Sequence, residues 1–209
     1  MRDFRLYVII DKKTSLCRKG RDLVYVAREA IAGGADVIQL RDKGSSDREI
    51  VEAGRAIRKA VGKDKAVFIV NDRPDIALAV GADGVHLGQD DIPVMAARSI
   101  LGKDKIIGLS THSLEQAAEA QNSGADYIGV GPIFSTPTKP DYKAVGLELI
   151  EKIKGINGIP FVAIGGIDES NIGDIIAAGG LRVAVVRAVC SAEDIRAAAK
   201  ILKDKLTRI

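Results

Sequence analysis

Eight short apolar runs recur along the whole chain: Leu6–Ile10, Val37–Leu40, Val67–Val70, Gly84–Leu87, Ile106–Leu109, Tyr127–Val130, Phe161–Ile164 and Val183–Val186. Each is too short for a helix and rich in β-branched residues, the pattern of a buried strand. Between them lie stretches of helical period, clearest at Leu23–Ala32, Asp47–Ala60, Leu114–Ser123 and Ala192–Leu206. Ser46, Ser113, Asp168 and Ser191 stand where helix N-caps belong. Gly33-Gly34, Gly62, Gly124 and Gly179-Gly180 stand where helices stop. Ala32-Gly33-Gly34-Ala35-Asp36 is echoed by Val80-Gly81-Ala82-Asp83 and Ser123-Gly124-Ala125-Asp126. These read as one helix-to-strand turn used repeatedly.

Strands alternating with helices over short connections imply a parallel sheet, and eight such strands can close on themselves. The expected fold is α/β: a single (β/α)8 TIM barrel spanning 1–209, with its active site at the C-terminal ends of the strands. An open doubly-wound sheet would usually carry fewer strands and a Gly-rich G-x-G-x-x-G first turn, and neither is present. With aromatics at 4% and no Trp, Val, Ile, Leu and Ala must fill the core. This aliphatic bias suits strands buried on both faces.

A formal charge of +3, with no basic run interleaved with aromatics, argues against nucleic acid as a partner. No apolar run approaches the roughly 20 residues that cross a bilayer, so no membrane partner is expected. Met1-Arg2-Asp3-Phe4 has no signal-peptide pattern. Cys17 and Cys190 fit neither a disulfide framework nor metal-ligand spacing. A cytoplasmic location follows as the expectation. Oligomeric state is not legible.

Unusual polar residues follow the strands, and so share one mouth. Gln39, Arg41 and Lys43 alternate, which in extended chain aims an amide and two cations to one face. Converging cations suit a pyrophosphate, although a solvated loop would carry the same residues. Asp72 and Asp91 follow neighbouring strands. They read either as two carboxylates for Mg²⁺ or as helix caps ahead of Arg73-Pro74 and Ile92-Pro93. The segment from Pro132 to Val145 is too long for a routine connection and carries Ser135, Thr136, Thr138 and Lys139, all donors to phosphate. Its role is a phosphate-binding loop or lid, or else a surface loop. Gly165-Gly166 either lets backbone amides approach an anion or makes a turn that needs positive φ. His86 reads as a packed, hydrogen-bonded barrel residue. His112 reads as an acid–base group or, more plainly, as a solvated residue at a helix start.

Taken together, Gln39–Lys43, Asn71-Asp72-Arg73, Ala82–Asp91, Gly129–Lys139 and Ala163–Ile167, in this order at these strand ends, resemble the thiamine phosphate synthase family. The resemblance covers the chain from Tyr7-Val8-Ile9-Ile10-Asp11 to Val183–Val189. It implies a Mg²⁺-dependent transferase. The nitrogen of 4-methyl-5-(2-phosphooxyethyl)thiazole attacks the methylene of 4-amino-2-methyl-5-(diphosphooxymethyl)pyrimidine by a dissociative path, giving thiamine phosphate and pyrophosphate. By the same resemblance Gln39, Leu40, Arg41, Asp42, Lys43 and Asn71 hold the pyrimidine diphosphate, and Arg41, Lys43 and Lys139 act on its phosphates as catalytic cations. Asp72 and Asp91 ligate Mg²⁺, and Ser110 contacts the pyrimidine. Thr136, Pro137 and Thr138, with Gly166, Val186 and Arg187, hold the thiazole phosphate.

Two positions depart from the pattern. Arg187 stands where the family commonly has Ser, and Gly179-Gly180-Leu181-Arg182 replaces the usual Gly-Ala-Asp-Gly before the last strand. Three alternatives share the barrel. A thiazole tautomerase could use His112 but would not need the cation cluster and the aspartates. A non-catalytic thiamine phosphate-binding protein would waste the acidic pair. A phosphoribosyl isomerase would show an acid–base pair on facing strands.

Overall fold

The computed structural model describes residues 4–15, 21–137, 143–155 and 158–208, with only the backbone of Lys63. Every apolar run forms a strand. In chain order these are β1 (Leu6–Asp11), β2 (Val37–Arg41), β3 (Val67–Asn71), β4 (Gly84–Leu87), β5 (Ile106–Thr111), β6 (Tyr127–Val130), β7 (Phe161–Ile164) and β8 (Val183–Val185). They pair in parallel in that order, and β8 returns to β1 through Leu6–Val183 to close the barrel. The described helices are α1 (Lys12–Ser15), α2 (Leu23–Ala32), α3 (Asp47–Lys65), α4 (Pro74–Ala79), α5 (Val94–Leu101), α6 (Leu114–Asn122), α7 (Glu148–Lys154), α8 (Ile172–Ala177), α9 (Arg187–Cys190) and α10 (Ile195–Thr207). None is long and apolar enough to cross a membrane.

The period of two along each strand divides the core. Tyr7, Ile9, Val37, Ile69, Tyr127, Val162 and Ala184 point inward, and Phe4 packs with them from ahead of β1. Leu6, Val8, Ile10, Ile38, Leu40 and Phe68 point outward and are buried in the layer shared with the helices. Burial of these aliphatic side chains, at roughly 25 cal/mol per Å² of apolar surface, is the main force holding the layers together.

The Gly-Ala-Asp echo has a structural cause. Asp36 Oδ2 accepts from the amides of Arg5 and Leu6 at 2.8 and 2.9 Å, Asp83 Oδ2 from Phe68 at 2.7 Å, and Asp126 Oδ2 from Ile107 at 2.7 Å. Each Asp opens its own strand and satisfies the first amides of the strand before it. Lys203, Arg58 and Arg98 pair with the three carboxylates.

Ser46 caps α3 in a capping box with Glu49, and Ser113 caps α6. The other two expected caps are corrected. The Asp168 carboxylate instead accepts from the amide and hydroxyl of Ser170 at 2.8 and 2.6 Å, and α8 starts only at Ile172. Ser191 ends α9, a helical turn that intervenes after β8, and Asp194 caps α10 by accepting from the Ala197 amide at 2.9 Å. Gly62, at φ 67°, breaks the helical path of α3 without ending its assignment, which runs on to Lys65.

Candidate active site

At the C-terminal end of the barrel, a cavity of about 490 Å³ is walled by Gln39, Arg41, Asn71, His86 and Ser110 from β2 to β5. A second opening of about 780 Å³ is lined by Lys12, Lys13, Lys43 and Asp42. Arg41, Pro137, Arg187 and Ser191 line both spaces. The result is a polar cavity that shares Arg41 and Arg187 with the cationic vestibule onto which it opens.

Strand alternation places the residues of β2. Gln39 and Arg41 face the cavity, whereas the Leu40 side chain is buried on the opposite face, among the helices. Leu40 therefore offers a ligand no side-chain contact. Arg41 pairs with Asp11, the last residue of β1. Lys43 Nζ lies 2.8 Å from Asp72 Oδ2. Asp42 Oδ1 accepts from the amides of Gly44 and Ser45, both at 3.1 Å, and shapes the loop. Burial pushes the Asp42 carboxyl up, but hydrogen bonds from Ser45 and Gly44 and the charge of Lys12 outweigh it and hold the group below its ordinary range.

Neither Asp72 nor Asp91 is a helix cap. Arg73 and Pro93 occupy the N-cap positions of α4 and α5, and neither helix has a side-chain cap bond. Asp72 sits at φ 65°, a conformation uncommon outside glycine. Its amide donates to the His86 carbonyl at 2.8 Å. Asp91 Oδ2 accepts from the Gly88 amide at 2.6 Å. The Asp72 and Asp91 carboxyls lie close enough to influence one another. Burial first, and then the adjacent Asp72, raise the Asp91 carboxyl above its ordinary range. Two crowded hard oxygen donors suit a divalent cation such as Mg²⁺. Among the described residues no third acidic, His or Cys side chain completes the set, so remaining ligands would come from water or phosphate oxygens.

The far wall comes from β6 to β8 and their loops. Gly165 (φ 102°) and Gly166 (φ 66°) line the cavity. A Cβ on Gly165 would lie 2.4 Å from Pro132 Cβ, and one on Gly166 would lie 2.7 Å from the Ser135 carbonyl oxygen. Both glycines are thus required by backbone conformation and by the crossing of the 132–137 segment. That segment is held by Ile133 N to Ile164 O at 2.8 Å and Phe134 N to Gly165 O at 3.0 Å, which brings Thr136 and Pro137 to the cavity beside Val186 and Arg187. Thr138 and Lys139 lie outside the described residues.

His86 is the hydrogen-bonded barrel residue that its position in a strand implies: Nδ1 meets Tyr127 Oη at 2.9 Å and Nε2 meets Ser110 Oγ at 3.0 Å. His112 is not a solvated helix-start residue. It lines the cavity and its Nδ1 bonds the Gly131 carbonyl. Reading polar residues only at the ends of the second to seventh strands missed Asp11, which the same rule applied to β1 would have found. It also missed Tyr7 and Tyr127, whose signal is a phenol at an inward position in an otherwise aliphatic barrel.

The chain matches the family model described as thiamine monophosphate synthase over residues 6–189. It is 49% identical to a thiamine-phosphate synthase of Shouchella clausii over 203 residues, 97% of this chain and 96% of that relative. It is 48% identical to one of Halalkalibacterium halodurans, covering 94% and 92% of the two chains. The solved thiamine phosphate pyrophosphorylase of Pyrococcus furiosus superposes with a TM-score of 0.89 at 41% identity, covering 98% of this chain and 96% of that one. A 3-hexulose-6-phosphate synthase, at 21% identity and a TM-score of 0.66, shares the fold. With a closed eight-stranded barrel, a cationic mouth and this similarity over nearly its whole length, the chain belongs to the thiamine monophosphate synthase family and is a transferase.

Proposed function

We propose that this protein joins 4-amino-2-methyl-5-(diphosphooxymethyl)pyrimidine to 4-methyl-5-(2-phosphooxyethyl)thiazole, forming thiamine phosphate and releasing pyrophosphate. One observation carries the reading. A cavity walled by Gln39, Asn71 and Ser110 opens directly onto Arg41, Lys43 and Arg187. A polar heteroaromatic ring bearing a diphosphate needs both environments, side by side.

The thiazole nitrogen gives its lone pair to the pyrimidine methylene carbon. The carbon–oxygen bond to the diphosphate breaks, and its electron pair leaves with pyrophosphate. Positive charge left on the methylene carbon is shared by the amino-substituted ring, which favours a dissociative path. Arg41 and Lys43, with Lys139, are the groups to neutralise charge as it builds on the leaving oxygens, so they stabilise the transition state more than the bound substrate. Gln39, Asn71 and Ser110 orient the ring. Thr136, Pro137, Thr138, Gly166, Val186 and Arg187 take the thiazole phosphate. Asp72 and Asp91 would hold Mg²⁺, which when bound neutralises diphosphate charge. The chemistry requires no nucleophilic side chain.

Chromatographic detection of thiamine phosphate after incubating purified protein with both substrates and Mg²⁺ tests this. Formation that is lost when either substrate is omitted supports the reading, and no product from folded protein rejects it.

A further inference from the structure

A line of four hydrogen bonds crosses the barrel beneath the cavity. Gln39 Nε2 donates to Tyr7 Oη at 2.7 Å. Tyr7 Oη meets Tyr127 Oη at 3.0 Å, Tyr127 Oη meets His86 Nδ1 at 2.9 Å, and His86 Nε2 meets Ser110 Oγ at 3.0 Å. The two ends, Gln39 and Ser110, both line the cavity. The middle is deeply buried, with Tyr7 at 2% and Tyr127 at 0% exposure. Room for it is made by two glycines. A Cβ on Gly108 would lie 2.1 Å from Tyr127 Cζ, and one on Gly129 would lie 3.2 Å from His86 Cε1.

Such a line has a direction. Each phenol carries one hydrogen, and burial pushes both phenols far above their ordinary range, so neither ionises under working conditions. With Gln39 donating to Tyr7, every hydrogen in the line is used when the Tyr7 hydroxyl donates to Tyr127 and the Tyr127 hydroxyl donates to His86 Nδ1. His86 then carries its own hydrogen on Nε2 and donates to Ser110 Oγ. Accepting from His86 leaves the Ser110 hydrogen free to donate into the cavity, whereas the opposite tautomer would consume it. At the other end, the Gln39 amide oxygen is left as an acceptor. Flipping the Gln39 amide would reverse every member.

We propose that Tyr7, Tyr127 and His86 are positioning residues that fix the hydrogen-bond polarity of the pocket, with Ser110 a donor and Gln39 an acceptor. A ring that offers an acceptor nitrogen beside an amino group is matched. Its 4-oxo counterpart, in which the ring nitrogen carries hydrogen and the exocyclic atom accepts, is refused. The ligand assignment rests on the proposed substrate, and the polarity rests on the orientation of the Gln39 amide.

The test compares binding of the 4-aminopyrimidine diphosphate with that of its 4-oxo analogue by calorimetry, in the wild type and in Tyr127→Phe. The wild type prefers the amino compound by about 100-fold or more, because a site built to hydrogen-bond rejects the inverted pattern strongly. Tyr127→Phe releases the His86 tautomer, and the ratio collapses to under about 10-fold, while KM for the thiazole phosphate stays put. Tyr7→Phe serves as the second variant if Tyr127→Phe fails to fold. In the wild type, ¹⁵N chemical shifts place the His86 hydrogen on Nε2. A hydrogen on Nδ1, or a ratio unchanged in both variants while the wild type still turns over, overturns the relay alone. Failure of the wild type to bind the amino compound overturns the relay's ligand and the proposed function together.

Discussion

The ammonium of Lys43 lies 2.8 Å from the Asp72 carboxylate, whose charge in turn acts on the neighbouring Asp91 carboxyl. The lysine side chain is 55% exposed. A pair this wet is worth only about 0–1 kcal/mol to the fold, so its significance is where it puts charge. Lys43→Ala should leave the melting temperature within a few degrees and cut kcat by about 100-fold or more, the scale of losing one preorganised electrostatic contact. Steady-state kinetics beside thermal unfolding checks both halves.

The crowded Asp72–Asp91 pair predicts a metal linkage with a definite sign. Without metal, the raised Asp91 carboxyl contributes stability at low pH that is lost as pH rises through its titration. A bound cation needs the proton gone, so the stabilisation by Mg²⁺ should grow over the same range. Thermal unfolding with and without Mg²⁺ across a pH series should show the gain growing as pH rises through the Asp91 titration. Asp91→Asn should abolish the gain.

Arg187 is exposed, lines both the cavity and the vestibule, and makes no side-chain ion pair among the described residues. A guanidinium so placed suits a phosphate dianion. Arg187→Ser should raise KM for the thiazole phosphate several-fold, leave KM for the pyrimidine diphosphate near its original value and flatten the salt dependence of the former. Initial rates across a salt series read this out.

Asp126 satisfies the Ile107 amide at 2.7 Å and holds Arg98 at 2.7 Å. Asp126→Ala leaves a strand amide without its acceptor, and should cost about 1–3 kcal/mol in chemical denaturation, with kcat nearly unchanged because the residue sits at the far end of the strand from the cavity. A large activity loss at unchanged stability would contradict this assignment.

The eight strands were legible because each is a β-branched run bounded by turn residues, and observed and expected limits differ by no more than two residues. The mouth was legible because polar residues cluster just past those runs. What stayed hidden depends on the third dimension. Leu40 sits between two cavity-facing residues in sequence, yet the pleat turns it to the helices. Asp168 looks like a cap but bonds Ser170, because the chain turns once more before α8 begins. The cap reading of Asp72 and Asp91 fell only when Arg73 and Pro93 were found at the N-cap positions of α4 and α5. The polar line from Gln39 to Ser110 joins residues up to 120 apart in sequence, and no local pattern announces it.

Pyrophosphate release from purified protein supplied with both substrates, followed as each substrate and Mg²⁺ is omitted in turn, bears most directly on the proposed transferase chemistry. Release that requires both substrates and the metal, equals thiamine phosphate formed and falls steeply in Asp72→Ala is the predicted result. Folded wild-type protein that releases none, or that releases it from the pyrimidine diphosphate alone at an undiminished rate, would contradict it.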